Sequence, residues 1–346
     1  MRITDLTAGT VARMRLGPIS CLLAVALLVP TGGATAQEPT PAVPETAAPR
    51  VLGISVDGLN TQAIRKLGRS GAPTLYRLLA EGAGTLNART EYEQNVTLPN
   101  HTGMLTSRRI DRRHGGHGVT WNDDRRRMTV QRAAGRPVKS VFSVVHASGG
   151  TGALFSTKEK FGIFKRSWPR GIDHFVIDED QGRLVRAATA DLLRADRTFT
   201  FLHVSLPDRY GHEYGGMSAH YLAAVRRTDR QLGALLRSVE ARPAVAERLT
   251  VVLTADHGFI AGRTDHSAKV LANYRIPFVA WGAGVRHGNL YLLNPDYRDP
   301  GRTRPTYAAV RQPVRNGDLG NLALDLLGLP AIPGSEHDVA QDLDVG

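Results

Sequence analysis

Six side chains in four short stretches have the types and spacing of metal ligands: Asp57, then Asp208 with His212, then Asp256 with His257, then His266. A fifth stretch, Thr97-Leu98-Pro99-Asn100-His101, offers a hydroxyl nucleophile. The three aspartates follow apolar, strand-like runs, Val51 to Val56, Phe199 to Leu206 and Leu249 to Thr254. In an open parallel sheet those runs would bring all three to the carboxyl ends of the strands, where such folds bind ligands. Mixed carboxylate and imidazole donors suit zinc, and two neighbouring ions can clamp both the entering and the leaving oxygen of a phosphoryl group. The pattern predicts a two-metal hydrolase.

Singly, each residue has a plainer reading. Asp57 before Gly58 would cap a following helix, and Thr97 would do the same for the helix expected after it. A single histidine is commonly a hydrogen-bonded core residue. Packing does not account for three sheet-end carboxylates, each close to a hydroxyl or a histidine. In Asp256-His257-Gly258 the glycine would permit a tight turn, and the Asp208 to Gly215 segment reads as one loop delivering two ligands to one ion.

The elements that must position these residues alternate between strand and helix. Helices are expected near 61–70, over 73–81 with Pro73 in its first turn, from just after Thr97, over 181–194, over 218–240 and over 317–327. In the 218–240 helix Leu222, Val225, Leu232, Leu235, Leu236 and Val239 form one apolar face, which reads as core. Besides the three runs above, strands are expected over 138–146, 175–177 and 276–281. Residues 108–137 read as loops over the site, and 148–170 as irregular. The fold class expected is α/β, a largely parallel central sheet with helices on both faces and a small cap insertion within about 108–170.

The 346-residue chain is long enough for a substantial core, with 42% hydrophobic and 6% aromatic residues and a net charge of +12. The basic balance suits anionic substrates, but no aromatic-rich or repeated basic motif marks a dedicated nucleic-acid module. Arg13 and Arg15, the apolar run Ile19 to Val29 and Ala34-Thr35-Ala36 have the order of a secretory signal peptide over residues 1–36. Export to the periplasm or medium is therefore expected, with no transmembrane anchor after cleavage. Residues 37–49 are Pro-, Ala-, Thr- and Glu-rich and read as a flexible lead-in, leaving 50–346 as the catalytic domain. The only cysteine, Cys21, lies inside the signal-like segment, so thiolate ligands and disulfides are excluded from the mature chain.

The Thr97 to His101 stretch, the Asp208 to Gly215 cluster, Thr254-Ala255-Asp256-His257-Gly258, Ile276 to Gly282 and Leu324 to Pro330 resemble the alkaline phosphatase superfamily. The similarity is to its type I phosphodiesterase/nucleotide pyrophosphatase branch and runs from Val51 to about Gly334. It implies two zinc ions, one held by Asp57, Thr97, Asp256 and His257, the other by Asp208, His212 and His266. Ser267 stands where many relatives have glycine, so His287 and His337 are alternatives for the last ligand. The resemblance also implies that Thr97 attacks phosphorus to give a covalent phosphothreonine, and that Asn122 donates to a phosphoryl oxygen. From local sequence alone Asn122 reads equally as a turn residue.

The small-molecule substrate implied is a phosphate ester. In nucleotide-cleaving relatives an aromatic follows the nucleophile; Leu98 stands there in this chain, leaving Trp121, Tyr210 or Tyr214 to stack on a base. Arg108, Arg109, Arg112 and Arg113 are either a distal-phosphate site or an exposed basic loop. A phosphomonoesterase or phosphonate hydrolase would use the same groups, and a secreted metal-containing binding protein would keep them without turnover. The Cys or Ser followed by Pro and Arg that marks sulfatases is absent from the nucleophile region.

Overall fold

A computed structural model describes residues 48–346. The signal-like segment, Cys21 and nearly all of the Pro- and Ala-rich lead-in lie outside the described residues. Eight strands form one sheet: β1 (Arg50–Val56), β2 (Ala83–Arg89), β3 (Gly152–Ser156), β4 (His174–Ile177), β5 (Phe199–Val204), β6 (Leu249–Thr254), β7 (Arg275–Gly282) and β8 (Gly288–Asn289). Their order is β4-β3-β5-β1-β6-β7-β2-β8. The neighbours from β4 to β6 pair in parallel, whereas β7 runs antiparallel to both β6 and β2. The sheet is thus mostly parallel, and the expected 276–281 strand is its reversed member.

The central strands are buried along their whole length, as apolar runs in a sheet covered on both faces must be. Their register lays out the site. Ser55 pairs with His203 on one side and Thr254 on the other. Asp57 and Asp256 therefore leave the sheet two residues beyond the same rung, and Asp208 follows from the third strand.

Local sequence explains most helices. Asn60 caps the Thr61–Gly71 helix with its side chain, so Asp57 is not the cap there. The Pro73–Glu81 helix lacks a cap of its own; the Asp229 carboxylate accepts from Thr74 N (3.2 Å) and Leu75 N (2.8 Å). Asp229 belongs to the Ala219–Glu240 helix, whose expected apolar face is buried.

Three expectations need correction. Residues 138–146 are not a strand: Val141–Ala147 is a helix, opened by a Ser140/Ser143 capping box. Val138, Val141, Phe142 and Val145 stand at i, i+3, i+4 and i+7, so the spacing is helical and only the β-branched composition suggests a strand. The 148–170 region is not irregular, since it contains β3, fully buried beside β5. The Asp208 segment is the helix Leu206–Tyr214, not a loop, and it places Asp208 and His212 one turn apart. β2 had no counterpart in the sequence reading.

Two glycines set the turns. Gly58 has φ +70°, and a Cβ there would lie 2.9 Å from the Asp208 Cα. Gly258 needs no left-handed backbone; a Cβ would meet the Ala272 carbonyl oxygen at 2.1 Å, so close approach is its reason. Gly58→Ala combines a left-handed backbone with that collision, costing about 2 kcal/mol or more, whereas Gly135→Ala (φ +70°, ψ 17°, open surroundings) should cost about 1 kcal/mol. Urea unfolding of the two variants checks the order, and equal losses would contradict the packing at Gly58.

Candidate active site

The sheet edge brings the six predicted donors into two adjoining groups. Asp57, Asp256 and His257 have donor atoms within 4.8 Å of one another, and so do Asp208, His212 and His266. His257 Nε2 lies 3.3 Å from Asp57 Oδ1, 3.3 Å from Asp256 Oδ2 and 3.7 Å from Asp208 Oδ1, so the groups share a border. His212 and His266 approach Asp208 Oδ1 to 3.4 and 3.7 Å.

The histidines are held in one chemical form. Nδ1 of His212, His257 and His266 lies 2.8–3.0 Å from the backbone oxygens of Thr264, Gly258 and Asn95 respectively. A backbone carbonyl only accepts, so Nδ1 carries a proton, and in the neutral ring Nε2 is the lone-pair donor facing the carboxylates. Asp57 Oδ1, Asp208 Oδ1, Asp256 Oδ2 and His257 Nε2 are buried and have no hydrogen-bond partner. Orphaned donor atoms of this kind, converging from four residues, fit divalent cations.

Electrostatics point the same way. Burial, followed by the charge of Asp57, pushes the Asp256 carboxyl up to about 8. Burial also opposes ionisation of Asp57, but the Lys158 ammonium, with a hydrogen bond from His203 and the nearby His257, holds it well below the usual carboxylate range. Burial disfavours the His257 cation, yet Asp256 and Asp57 raise it to about 9. Of the three carboxylates in this dry corner, Asp256 is pushed toward its neutral form, while Lys158 offsets Asp57 and Asp208.

Thr97 is the first residue of a helix reaching Thr106; Val96 occupies the cap position, so Thr97 is not an N-cap. His101, one turn on, bonds the Thr97 carbonyl through Nδ1 (2.7 Å) and lies 3.7 Å from Asp256 Oδ2. Asn316 ties the same helix to the end of β6 through Asn100 Oδ1 (3.0 Å) and the Ala255 carbonyl (3.3 Å). Asn122 does reach the nucleophile segment: its Oδ1 accepts from Leu98 N (3.0 Å) and from Lys160 Nζ (3.0 Å).

Three residues escaped the sequence reading. His203 donates Nε2–H to Asp57 Oδ2 (3.0 Å) and is backed at Nδ1 by Ser156 and Thr157; burial keeps it neutral by lowering its pKa. A histidine inside the largely apolar Phe199–Val204 run was the available signal. Lys158 Nζ lies 2.6 Å from both Asp57 Oδ2 and Asp208 Oδ2, and Lys160 holds Asn122. Both follow β3, so they share the sheet edge with the aspartates; treating 148–170 as irregular hid them.

The alternative ligands lie elsewhere. His287 is exposed after β7, and His337 bonds the buried Glu91 (3.1 Å). Among the arginines, Arg108 is committed to the Gly115 and Pro333 carbonyls and Arg109 to Glu93. Arg112 and Arg113 line a cavity of about 680 Å³ with Gln94, Ile110, Trp121 and Met128. Tyr210 and Tyr214 pack against each other at 5.6 Å.

A family model described as type I phosphodiesterase / nucleotide pyrophosphatase matches residues 51–328. The chain is similar to GPI ethanolamine phosphate transferase 1 of Yarrowia lipolytica, 32% identical over 145 residues, which are 40% of this chain and 15% of that protein. It is 34% identical over 94 residues to human ectonucleotide pyrophosphatase/phosphodiesterase family member 7, covering 27% of this chain and 20% of that one. These matches span no more than a fifth of either relative's length. Among solved structures, murine ectonucleotide pyrophosphatase / phosphodiesterase 5 superposes with a TM-score of 0.64 at 14% identity, covering 86% of this chain and 99% of that one. A 2-O GAG sulfatase gives 0.61 at 15% identity, over 84% and 73%. At such identities the superpositions establish the shared fold.

The Glu91–His337 pair has a pH signature. Burial opposes both charges, but His337 holds Glu91 below its usual range and Glu91 raises His337. The lowered carboxyl stabilises the fold above its unfolded pKa of about 4.3, and the raised imidazole does so below about 6.5, fading as pH climbs through its folded value. The stability gap between the parent and His337→Gln in urea should therefore be largest between about pH 4.5 and 6.5 and shrink on either side. A gap that widens from pH 6.5 to 9 would contradict an ionised pair.

Proposed function

The chain belongs to the type I phosphodiesterase / nucleotide pyrophosphatase family, and from that premise we propose an exported, two-zinc hydrolase of phosphoric esters working through a covalent phosphothreonine on Thr97. The observation that carries the proposal is the pair of adjoining donor groups with orphaned oxygens, beside the helix that begins at Thr97. Asp57, Thr97, Asp256 and His257 would hold one ion, and Asp208, His212 and His266 the other. The chemistry zinc supplies when bound there is stabilisation of alkoxide and of charge on a leaving oxygen. Export rests on the signal-like order of residues 1–36.

The chain's own groups supply the rest. The Thr97 oxygen attacks phosphorus in line with the departing alcohol or phosphate; the new O–P bond forms as the ester or anhydride bond breaks. With Oδ1 of Asn122 already accepting from Leu98 and Lys160, its amide hydrogens are what remain for a phosphoryl oxygen. The neutral His203 donates to Asp57, orienting that carboxylate without adding charge. Water then cleaves the phosphothreonine and restores the hydroxyl.

A second reading has specific support. The ethanolamine phosphate transferase relatives favour an alcohol in place of water as the acceptor. The first half-reaction is common to both, so an added acceptor alcohol that diverts product from inorganic phosphate or a monoester to a new diester would identify a transferase.

Purified protein loaded with zinc is expected to hydrolyse bis(p-nitrophenyl) phosphate faster than p-nitrophenyl phosphate, lose activity on chelation and recover it with zinc. Thr97→Ala should lower kcat by on the order of a thousandfold; parental turnover by that variant would refute the covalent scheme. His203→Leu should weaken zinc binding by roughly ten- to a hundredfold in chelator competition. An unchanged affinity would show that Asp57 needs no such support.

A further inference from the structure

On the flank of the sheet opposite β3, β7 opens with Arg275. This one side chain lines two cavities. The first, of about 520 Å³, also has Arg65, Arg69 and Asp299 in its wall; the second, of about 450 Å³, has Thr61 and Arg302. Arg275 is half-buried, and its Nε is enclosed without a hydrogen-bond partner. Thr61, 1% exposed, has an Oγ1 orphaned in the same way. Arg65 and Arg302 stand close enough for their charges to bear on Arg275. Burial, then those two guanidiniums, hold it below the ordinary arginine range, and Asp299 opposes them. Asp299 is itself engaged, since its Oδ1 accepts from Asn87 Nδ2 (2.5 Å) and Gly301 N (2.8 Å).

Elsewhere the chain gives its enclosed guanidiniums partners: Arg50, Arg89, Arg108 and Arg315 all donate to backbone carbonyls. Among the described residues Arg65, Arg275 and Arg302 donate to no carbonyl and pair with no carboxylate, and Arg69 meets only the Tyr76 ring, at 6.0 Å. Four guanidiniums less the one carboxylate leave three positive charges around these cavities. A monoanion would leave most of that charge unmatched. A tetrahedral dianion presents oxygens in several directions, and guanidiniums on different elements can each take a pair of them. Cavities of this size suit a small ligand. We propose that Arg65, Arg69, Arg275 and Arg302, with Thr61, form an anion site for a phosphomonoester dianion, separate from the metal corner and needing no metal. The dianion is either a free phosphorylated molecule or the headgroup of an acidic lipid, which present the same chemistry. The site borders the catalytic turn without belonging to it: the carbonyl of Ala272, in the wall of the second cavity, lies against Gly258. The inference does not depend on turnover of any ester.

The test is calorimetric titration of the full chain with inorganic phosphate and dimethyl phosphate, zinc-loaded and after chelation, for the parent, Arg275→Gln and Arg302→Gln. Chelation removes any phosphate binding that depends on metal, so what survives belongs to the arginines. The chelated parent should bind inorganic phosphate, and more tightly than the singly charged dimethyl phosphate. Each variant should lose at least about tenfold in that affinity, while the zinc-loaded variants cleave bis(p-nitrophenyl) phosphate as the parent does. Arg302 is exposed, so its replacement keeps the test decisive even where Arg275→Gln does not fold. Loss of all phosphate binding on chelation would overturn the site. Equal affinity in the parent and Arg302→Gln, or equal binding of the two phosphates, would do the same. Cosedimentation with phosphatidylcholine vesicles, with and without phosphatidic acid, then separates the sources. Vesicle binding that requires phosphatidic acid and is lost in Arg302→Gln supports the site with a lipid headgroup as its ligand. Phosphate binding without vesicle binding supports it with a soluble one.

Discussion

Mutual repulsion of three buried carboxylates is the constraint that the rest of the site answers. Asp57, Asp208 and Asp256 are each almost fully buried, and like charges so placed repel strongly where water is excluded. Lys158 bridges two of them, His257 contacts all three, and His203 donates to one. A fold would not keep so costly a corner for packing alone, because apolar residues of similar volume would be more stable there. The same feature that weakens the molecule without metal would give a dication its affinity.

The parallel sheet makes this corner inevitable. β5, β1 and β6 are hydrogen-bonded neighbours pointing the same way, and Ser55, His203 and Thr254 share one rung. Anything a few residues beyond that rung is delivered to the same place. The next strand outward, β3, delivers the lysines by the same rule. Position along the strand thus decides which residues meet, and the loops and the Leu206–Tyr214 helix only refine their approach.

What was legible in the sequence follows from this geometry. Apolar runs ending in aspartate gave three strands and their common edge, because a strand buried on both faces needs continuous apolar sequence. The convergence of the six candidate residues was readable because each stood at such an end or in a cluster of ligand types. The missed parts are those whose local signal was ambiguous. Val138 to His146 pairs strand-like, β-branched composition with helical spacing, and β3 is only five residues long. Losing β3 meant losing Lys158 and Lys160, which carry no motif and gain meaning only from the strand before them. His203 was hidden for the opposite reason, since its strand was read correctly but as apolar filling. β2 is interrupted by Asn87 and paired through an irregular register, so its run never looked like a strand.

The order of strands also bears on how the molecule assembles. β1 is the first strand of the described chain, yet its two neighbours begin at Phe199 and Leu249. Until those later segments are available, its backbone donors and acceptors have no native partners on either side. Closing loops of this length is entropically expensive, and parallel pairings between distant segments slow folding and leave sticky edges exposed meanwhile. The pocket, drawing on Asp57 at one extreme and His266 at the other, is therefore completed only when the sheet is. A partly folded chain would hold loose histidines and carboxylates but not the arrangement that tells one metal from another.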